Sequence, residues 1–411
     1  MNFFLILILT FYVGFFIVDS IVDWLNIRAV SVDIPKEFKG VYDEEKYAQS
    51  QRYLRDTTRF GFVKQCFQSA ITVAFILFGG FNVLDIWVRS FELSTLFTGL
   101  VYCLILVVVL IFIGLPFSYY STFVIESKFG FNKSTPAVFW GDFFKSLVLS
   151  VLIGSPILLA ILWFFESLGS IAWLVAWGFL VLVQLMLVYI APSLIMPLFN
   201  KFEPLADGEL KDKLEAYSKA HEFAFEGIYT MDGSKRSSKS NAYFTGFGKQ
   251  RRIVLFDTLI EKHSADELLV ILAHEMGHYK LRHIHKSLFI SMVSSGLMLY
   301  LLSLFINNEL LAQAFGMESV SIYTSLIFFS FLFQPIEALF GIFTHYMSRR
   351  HEFEADAFAV STTQLPDALI SGLKRLCVDN LSNLEPHWLK VVIDYTHPPV
   401  LKRIQAIDKL K

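Results

Sequence analysis

The sequence predicts an all-α membrane base of seven transmembrane helices carrying a small cytoplasmic α/β head. Three observations support this fold class. Of the 411 residues, 55% are hydrophobic and only 18% are charged, and the mean hydropathy is +0.53. Apolar runs long enough to cross a bilayer recur seven times, since a hydrocarbon core of about 30 Å needs roughly 20 helical residues. Basic residues are concentrated almost entirely in one set of the loops between these runs.

Several classes of protein are excluded by composition. The apolar and aromatic content rules out a disordered chain or a fibre. A net charge of −2 and a pI near 6.6 provide no basic surface for a polyanion, so no nucleic-acid partner is expected. The three cysteines indicate no disulfide framework, since Cys66 and Cys103 lie inside apolar runs. A metal site in this chain must therefore rely on histidine and carboxylate ligands.

The predicted spans follow from the positions of the apolar runs. They are Met1 to Val18, Cys66 to Leu84, Leu96 to Val124, Ser146 to Phe165, Ile171 to Ile190, Ser287 to Ile306 and Ile322 to Met347. The first run is short enough to be a cleaved signal peptide. It has neither a preceding basic residue nor a clear small-x-small cleavage site, so we interpret it as a span.

The basic residues predict the orientation of these spans. The segments 19–65, 125–145, 191–286 and 348–411 contain 34 of the 35 Lys and Arg residues, and the loops on the other side contain only Arg89. Because cytoplasmic loops are enriched in Lys and Arg, we expect an outward N-terminus and cytoplasmic soluble segments. The membrane would be the inner membrane of a bacterium or the endoplasmic reticulum of a eukaryote.

The spans divide the chain into four regions. Residues 1–190 form the first five helices with their loops, and residues 191–286 form a cytoplasmic segment. Residues 287–347 form helices six and seven, and residues 348–411 form a C-terminal segment. Neither soluble segment is large enough to fold as an independent domain. We expect the two to share one small α/β core.

The strongest chemical signal is H-E-x-x-H from His274 to His278. Ser264 and Glu267 have capping-box spacing, which predicts a helix that begins ten residues earlier. His274 and His278 then lie at i and i+4 on one face, where both imidazoles reach one zinc ion and Glu275 reaches a bound water. The alternative is a helix with two surface histidines beside a salt-bridged glutamate.

A catalytic zinc takes three protein ligands, so one ligand lies elsewhere. Glu352 is the best candidate, in the run from Ser348 to Ala359 that follows the seventh span. Asp356, four residues later, shares its helical face and could orient a histidine or donate a proton. His351 and Glu354 are the rival ligands, and a solvated charged face is the structural alternative.

The metal is expected at the cytoplasmic membrane boundary. His278 lies nine residues before the sixth span and Glu352 five residues after the seventh, within about 14 Å and 8 Å of the helix ends if both helices continue through. Gln184, Gln334 and Glu337 lie inside spans and indicate either a water-containing interior or ordinary interhelical hydrogen bonds. The substrate would be met at this depth.

Several long motifs together resemble one family, the integral-membrane zinc endopeptidases known as type I CAAX prenyl proteases, which belong to the gluzincins. The similar segments are Tyr47 to Phe60, Phe123 to Thr135, Ala191 to Leu205, Gly233 to Phe247, His274 to His278, Arg349 to Phe358 and Thr396 to Arg403. They cover nearly the whole chain. The resemblance implies seven helices enclosing a large intramembrane chamber that the zinc head caps.

The resemblance also implies roles for particular residues. His274, His278 and Glu352 would bind one zinc ion per chain, and Glu275 would be the general base. Asp356 matches a second acidic position, and His397 matches a histidine that stabilises an oxyanion. Asn241 matches a position beside the strand that aligns substrate. From the residues alone, Asn241 to Phe256 reads equally well as a peptide-pairing hairpin or a purely structural one.

The substrate implied by the resemblance is a peptide or protein with a prenylated C-terminal Cys-a-a-X tail, cut after the cysteine at the bilayer. A membrane quality-control endopeptidase without prenyl specificity is the alternative within the enzyme class. A channel, a transporter or an inactive homologue with a structural zinc is the alternative outside it. Those proteins are expected to lose Glu275, which this chain retains.

Overall fold

Long helices make up nearly all of the first half of the chain. A computed structural model describes residues 2–223, 226–246 and 251–411. Its first helices are α1 (Phe3–Ala29), α2 (Glu44–Leu77), α3 (Gly80–Arg89), α4 (Thr95–Tyr120), α5 (Pro136–Ser167) and α6 (Ala172–Ile190). Further helical turns extend α4 to Glu126 and α6 to Leu198.

The second half mixes strands with helices. In chain order it contains β1 (Phe202–Pro204), α7 (Glu209–Ala220), β2 (Gly227–Met231), β3 (Ala242–Thr245), β4 (Arg252–Phe256), α8 (Asp257–Lys262), α9 (Ala265–Lys280), α10 (His283–Phe305), α11 (Glu309–Ala314), α12 (Ile322–Thr363), α13 (Pro366–Asp379), α14 (Trp388–Asp394) and α15 (Val400–Asp408).

The predicted number of spans is confirmed. Among the described residues, seven helices are long and apolar enough to cross a membrane: α1, α2, α4, α5, α6, α10 and α12. In each of them, no more than 17% of the most apolar window is buried inside the protein. Such a large outward-facing apolar surface requires lipid rather than water around it.

The second span ends earlier than predicted. The apolar run was expected to continue to Leu84. Instead α2 ends at Leu77 and α3 begins at Gly80. Gly79 has a φ of +69°, a left-handed conformation that glycine adopts without strain and that breaks the helix here.

The two helices that flank the predicted metal behave differently at the membrane boundary. The seventh span continues without interruption past its predicted end at Met347, because α12 runs for 42 residues from Ile322 to Thr363. The sixth does not. Helix α9 ends at Lys280, and α10 starts anew at His283 after Arg282, whose φ is +59°. This break turns the chain sharply directly after the H-E-x-x-H motif.

The four strands form one sheet with the order β1-β2-β4-β3. The central pair β2 and β4 is parallel, and both outer pairs are antiparallel. The predicted pairing of the segment after Asn241 with Ile253 to Phe256 is confirmed, although Gly248 lies outside the described residues. Strand β3 is an edge strand of this sheet.

The hydrophobic core around this sheet joins segments far apart in the sequence. Buried residues of β4, α9, α13 and α15 pack into one cluster, which includes Leu255, Leu272, Leu369 and Ile404. The loop after α1 also contributes to it: Tyr42 is buried, and its hydroxyl donates to the Cys377 carbonyl at 3.2 Å. The sequence had indicated only the two later segments as contributors.

Candidate active site

The site forms where α9 and α12 pack against each other. The capping box that starts α9 is present, because the Ser264 and Glu267 side chains each bond the other residue's backbone. The two backbones approach closely at Gly277, where an added Cβ would lie 3.2 Å from the Ala355 Cα and 3.3 Å from its carbonyl oxygen. A glycine here lets the backbones meet and brings the histidines of α9 against the carboxylates of α12.

His274, His278 and Glu352 bring one donor atom each to a common point. The two Nε2 atoms are 3.1 Å apart. Glu352 Oε2 is 3.5 Å from His274 Nε2, and Glu352 Oε1 is 3.3 Å from His278 Nε2. All three residues are therefore in contact, although Glu352 lies more than 70 residues along the chain from both histidines. That these three residues bind one zinc ion remains a prediction, which these distances support.

The spacing of the three donor groups fits a tetrahedral zinc. Zinc–ligand bonds of about 2.0–2.1 Å place neighbouring ligand atoms about 3.3 Å apart, close to all three distances. Glu352 is only 4% exposed, so its carboxylate lies away from water among the groups of the site. Two imidazoles and a buried carboxylate are a ligand set that suits zinc.

The two rival ligands point elsewhere. The His351 ring stacks on His283, with 4.0 Å between ring centroids. Glu354 accepts from Arg350 Nε at 2.9 Å and pairs with His283 Nε2 at 3.1 Å. Of the carboxylates between Ser348 and Ala359, Glu352 is therefore the one that contacts both His274 and His278.

Asp356 contacts His274 on the side of the ring that faces away from the proposed metal. Its Oδ1 atom lies 3.0 Å from His274 Nδ1, the ring nitrogen opposite the proposed ligand atom. Burial lowers the pKa of His274, but its bonds to Asp356 and Glu352 outweigh burial and raise that pKa to about 9. The site therefore attracts a proton or a cation strongly, and a metal would compete with that proton.

Arg403 is a part of the site that the sequence reading did not identify. It donates from Nε and Nη2 to the two Asp356 oxygens at 2.8 and 2.6 Å, and its Nη1 lies 3.1 Å from Glu352 Oε2. The signal was present: Val400, Arg403, Ile404 and Ile407 are the buried face of α15, so a charged residue occupies an apolar stripe. Both Asp356 oxygens are thus engaged by buried partners.

A cleft of about 180 Å³ opens beside this cluster. Glu275 lines it, and burial raises the pKa of Glu275 above the usual 4.5. Asn241, His274, Glu352 and His397 line the same cleft. His278 and Asp356 do not line it, but each contacts His274. Asn241 stands immediately before the edge strand β3, and its Oδ1 accepts from the Ala242 amide.

His397 reaches the cluster from the loop before α15. Its Nε2 atom is 3.4 Å from Glu352 Oε1, while Nδ1 lies 2.9 Å from the Thr396 hydroxyl. The side chain is 65% exposed, so one edge of the ring is accessible from the cleft. It is the most solvent-accessible of the imidazoles gathered here.

Comparison with family models matches both halves of the chain. Residues 23–201 match the CAAX prenyl protease N-terminal model, described as five membrane helices, and residues 204–411 match peptidase family M48. Similar curated proteins include the CAAX prenyl protease 1 homolog of rice, 35% identical over 98% of this chain and 96% of that protein. The human protein of the same name is 34% identical over 94% and 91%.

A solved structure has the same fold. The crystal structure of S. mikatae Ste24p aligns with a TM-score of 0.94 at 32% identity, covering 99% of this chain and all of that one. At this coverage the similarity includes both the membrane helices and the part that carries the described site.

Proposed function

The chain belongs to the peptidase M48 family of CAAX prenyl proteases, membrane zinc metalloproteases, and we propose that His274, His278 and Glu352 hold its zinc. The observation that carries this assignment is the convergence of the two Nε2 atoms, 3.1 Å apart, on the Glu352 carboxylate, whose Oε2 lies 3.5 Å from His274 and whose Oε1 lies 3.3 Å from His278. One ion per chain is expected, with a fourth position left open toward the cleft.

The catalytic chemistry follows from the residues around that position. Zinc, when bound, polarises a scissile carbonyl and lowers the pKa of a water molecule toward about 7. Glu275 accepts the proton of the attacking water and returns it to the leaving amine. Its raised pKa suits both steps, because a base titrating closer to neutral pH takes up and releases a proton more evenly.

The remaining residues orient the histidine ligands and stabilise the developing oxyanion. His397 donates a hydrogen bond from its accessible edge to the developing oxyanion. Asp356 fixes the ring of His274 rather than donating a proton to substrate, because Arg403 and His274 already occupy its oxygens. We therefore assign the proton transfers to Glu275.

The peptide binds as an added strand. Strand β3 is an edge of the sheet, and Asn241 at its start lines the cleft. An extended peptide pairing with β3 would pass its scissile bond over Glu275. The asparagine side chain is placed to bond that peptide's backbone.

The substrate we propose is a prenylated C-terminal peptide, as the names of the similar proteins suggest. Two cavities of about 530 and 550 Å³ lie among the spans and share Glu337 and Gly341. They support an intramembrane chamber that continues below the head, where an apolar chain attached to the peptide would avoid water.

The proposed protease activity is tested with full-length protein purified in detergent. We expect a farnesylated peptide to be cleaved after its cysteine, faster than the unprenylated peptide, and a chelator to stop cleavage. Glu275→Gln should lower the rate by about 100- to 10,000-fold while zinc content stays at one per chain. Glu261→Gln, an exposed glutamate on α8, is the matched control. Cleavage that persists in the chelator, or in Glu275→Gln, contradicts the assignment.

The head is proposed to face the cytoplasm. Exposed residues on the two sides are available for labelling: Glu309, which starts α11, and Asp207, whose side chain is 95% exposed. In sealed microsomes, whose outer face is the cytoplasmic face of the endoplasmic reticulum, a cysteine at Asp207 should react with an impermeant reagent directly, and a cysteine at Glu309 only after permeabilisation. The reverse pattern overturns the orientation.

A further inference from the structure

A second polar cluster lies directly behind His278. It consists of His283, His351 and Glu354, whose donor atoms all lie within 4.8 Å of one another. His283 and His351 are 3% and 4% exposed, and His351 Nε2 is buried without a hydrogen-bond partner. His283 is therefore buried against the proposed zinc ligand His278.

The ring geometry argues against a second metal in this cluster. The imidazoles of His283 and His351 are stacked, with planes only 9° from parallel and centroids 4.0 Å apart. The nitrogen lone pairs of an imidazole lie in its plane, so lone pairs of stacked rings run parallel and do not converge at about 2.0–2.1 Å on one ion. Glu354 is also already paired with Arg350 at 2.9 Å.

The hydrogen bonds instead form a chain with one consistent direction. His278 Nδ1 lies 3.0 Å from His283 Nδ1, and His283 Nε2 lies 3.1 Å from Glu354 Oε2. If Nε2 of His278 binds zinc, its proton must be on Nδ1, which then donates to His283. His283 accepts at Nδ1, carries its own proton on Nε2 and donates to Glu354. Every atom in the chain then has a compatible role.

We propose that His283 is a positioning residue that holds the His278 ring in its metal-binding tautomer and orientation, with Glu354 anchoring it. The proposal rests on the proposed function, since it takes His278 as a zinc ligand. It makes the two sides of the site equivalent: Asp356 supports His274, and the His283–Glu354 pair supports His278. Stacking on His351 adds a flat contact that restricts rotation of the His283 ring.

The backbone break at Arg282 makes this contact possible. On a continuous helix, residues 278 and 283 would be five positions apart and point about 140° away from each other. The left-handed Arg282 ends that periodicity, and His283 begins α10 with its ring against the end of α9. The geometry of the turn thus contributes to the site.

The test measures zinc affinity by competition with a chelating dye, using full-length protein in detergent. His283→Phe keeps the ring and its stack but removes both hydrogen bonds, and it should bind zinc about 10- to 100-fold more weakly. His283→Asn keeps an acceptor near the Nδ1 position and should recover most of that loss. Glu354→Ala, at a 33% exposed side chain, should show a smaller loss and serves if His283→Phe does not fold.

His351→Phe is the matched control, because it preserves the stack and His351 takes no part in the hydrogen bonds that join His278, His283 and Glu354. We expect its zinc affinity and its single zinc per chain to equal those of the unchanged protein. Wild-type affinity in both His283→Phe and Glu354→Ala overturns the proposal. So does a second zinc that His351→Phe removes. If the unchanged protein binds no zinc, or His278→Ala leaves binding intact, the metal assignment itself has failed instead.

Discussion

Replacing Gly277 with alanine should weaken the zinc site without touching any proposed ligand. The added Cβ would lie 3.2 Å from the Ala355 Cα and 3.2 Å from the Phe358 ring. Ordinary carbon contacts are about 3.5–4.0 Å, so α9 and α12 must separate by roughly 0.3–0.8 Å. Metal sites tolerate only about 0.2 Å in their distances. The three donor atoms, two on α9 and one on α12, would then no longer converge.

The size of the effect follows from the cost of overpacking. Inserting a methyl group into a close contact costs about 1–3 kcal/mol. Since every 1.4 kcal/mol is tenfold in affinity, zinc binding should weaken by about 5- to 150-fold if that cost falls on the loaded state. Alanine is otherwise favoured over glycine in a helix by about 1 kcal/mol, so helix propensity alone acts in the opposite direction.

The assay compares zinc affinity, peptide cleavage and thermal unfolding of the zinc-free protein. Gly61→Ala is the matched control, because an added Cβ there meets nothing within 4 Å. We expect Gly61→Ala, which lies inside α2, to equal the unchanged protein in zinc affinity and cleavage and to unfold at the same or a slightly higher temperature, because alanine is favoured over glycine in a helix. Unchanged zinc affinity and cleavage in Gly277→Ala would show that the close helix contact does not hold the ligands together, which would refute the reasoning.

Two further predictions concern the polypeptide around the site. Arg282→Gly removes the strain of a left-handed non-glycine residue. The free energy of unfolding should therefore equal that of the unchanged protein or exceed it by up to about 1 kcal/mol, and zinc affinity should be retained. A large loss of stability or zinc affinity would mean that the arginine side chain is itself needed. Burial lowers the pKa of His263 below 6.5, with Glu267 and Arg375 as charged neighbours. The unfolded chain therefore binds a proton near pH 6.5 that the folded protein does not, and stability should fall as the pH drops below that value. His263→Gln should reduce this fall in melting temperature between about pH 7.5 and pH 5.5 in zinc-free protein, and an identical pH dependence in the variant would contradict the assignment.

Much of this protein could be predicted because the determining interactions are local. Seven spans follow from runs of apolar residues, since the bilayer requires a fixed length of apolar helix. The two histidines of H-E-x-x-H share a face because helical periodicity repeats within one turn, and the Ser264 cap sets where that helix begins. The third proposed ligand could be suggested only because zinc needs one, and the sequence left His351 and Glu354 as rivals.

Tertiary packing decided which side chains of different helices contact one another. The contact of His274 with Asp356 joins residues 82 positions apart, and the approach of α9 to α12 at Gly277 brings Glu352 to both histidines. The left-handed turn at Arg282 selects His283 as a neighbour of His278, and the fold of α15 buries Arg403 beside Asp356. Local periodicity determines which face of a helix a residue occupies. Only the packing of distant helices determines which other faces it meets, because those contacts depend on side-chain volumes and backbone breaks throughout the head.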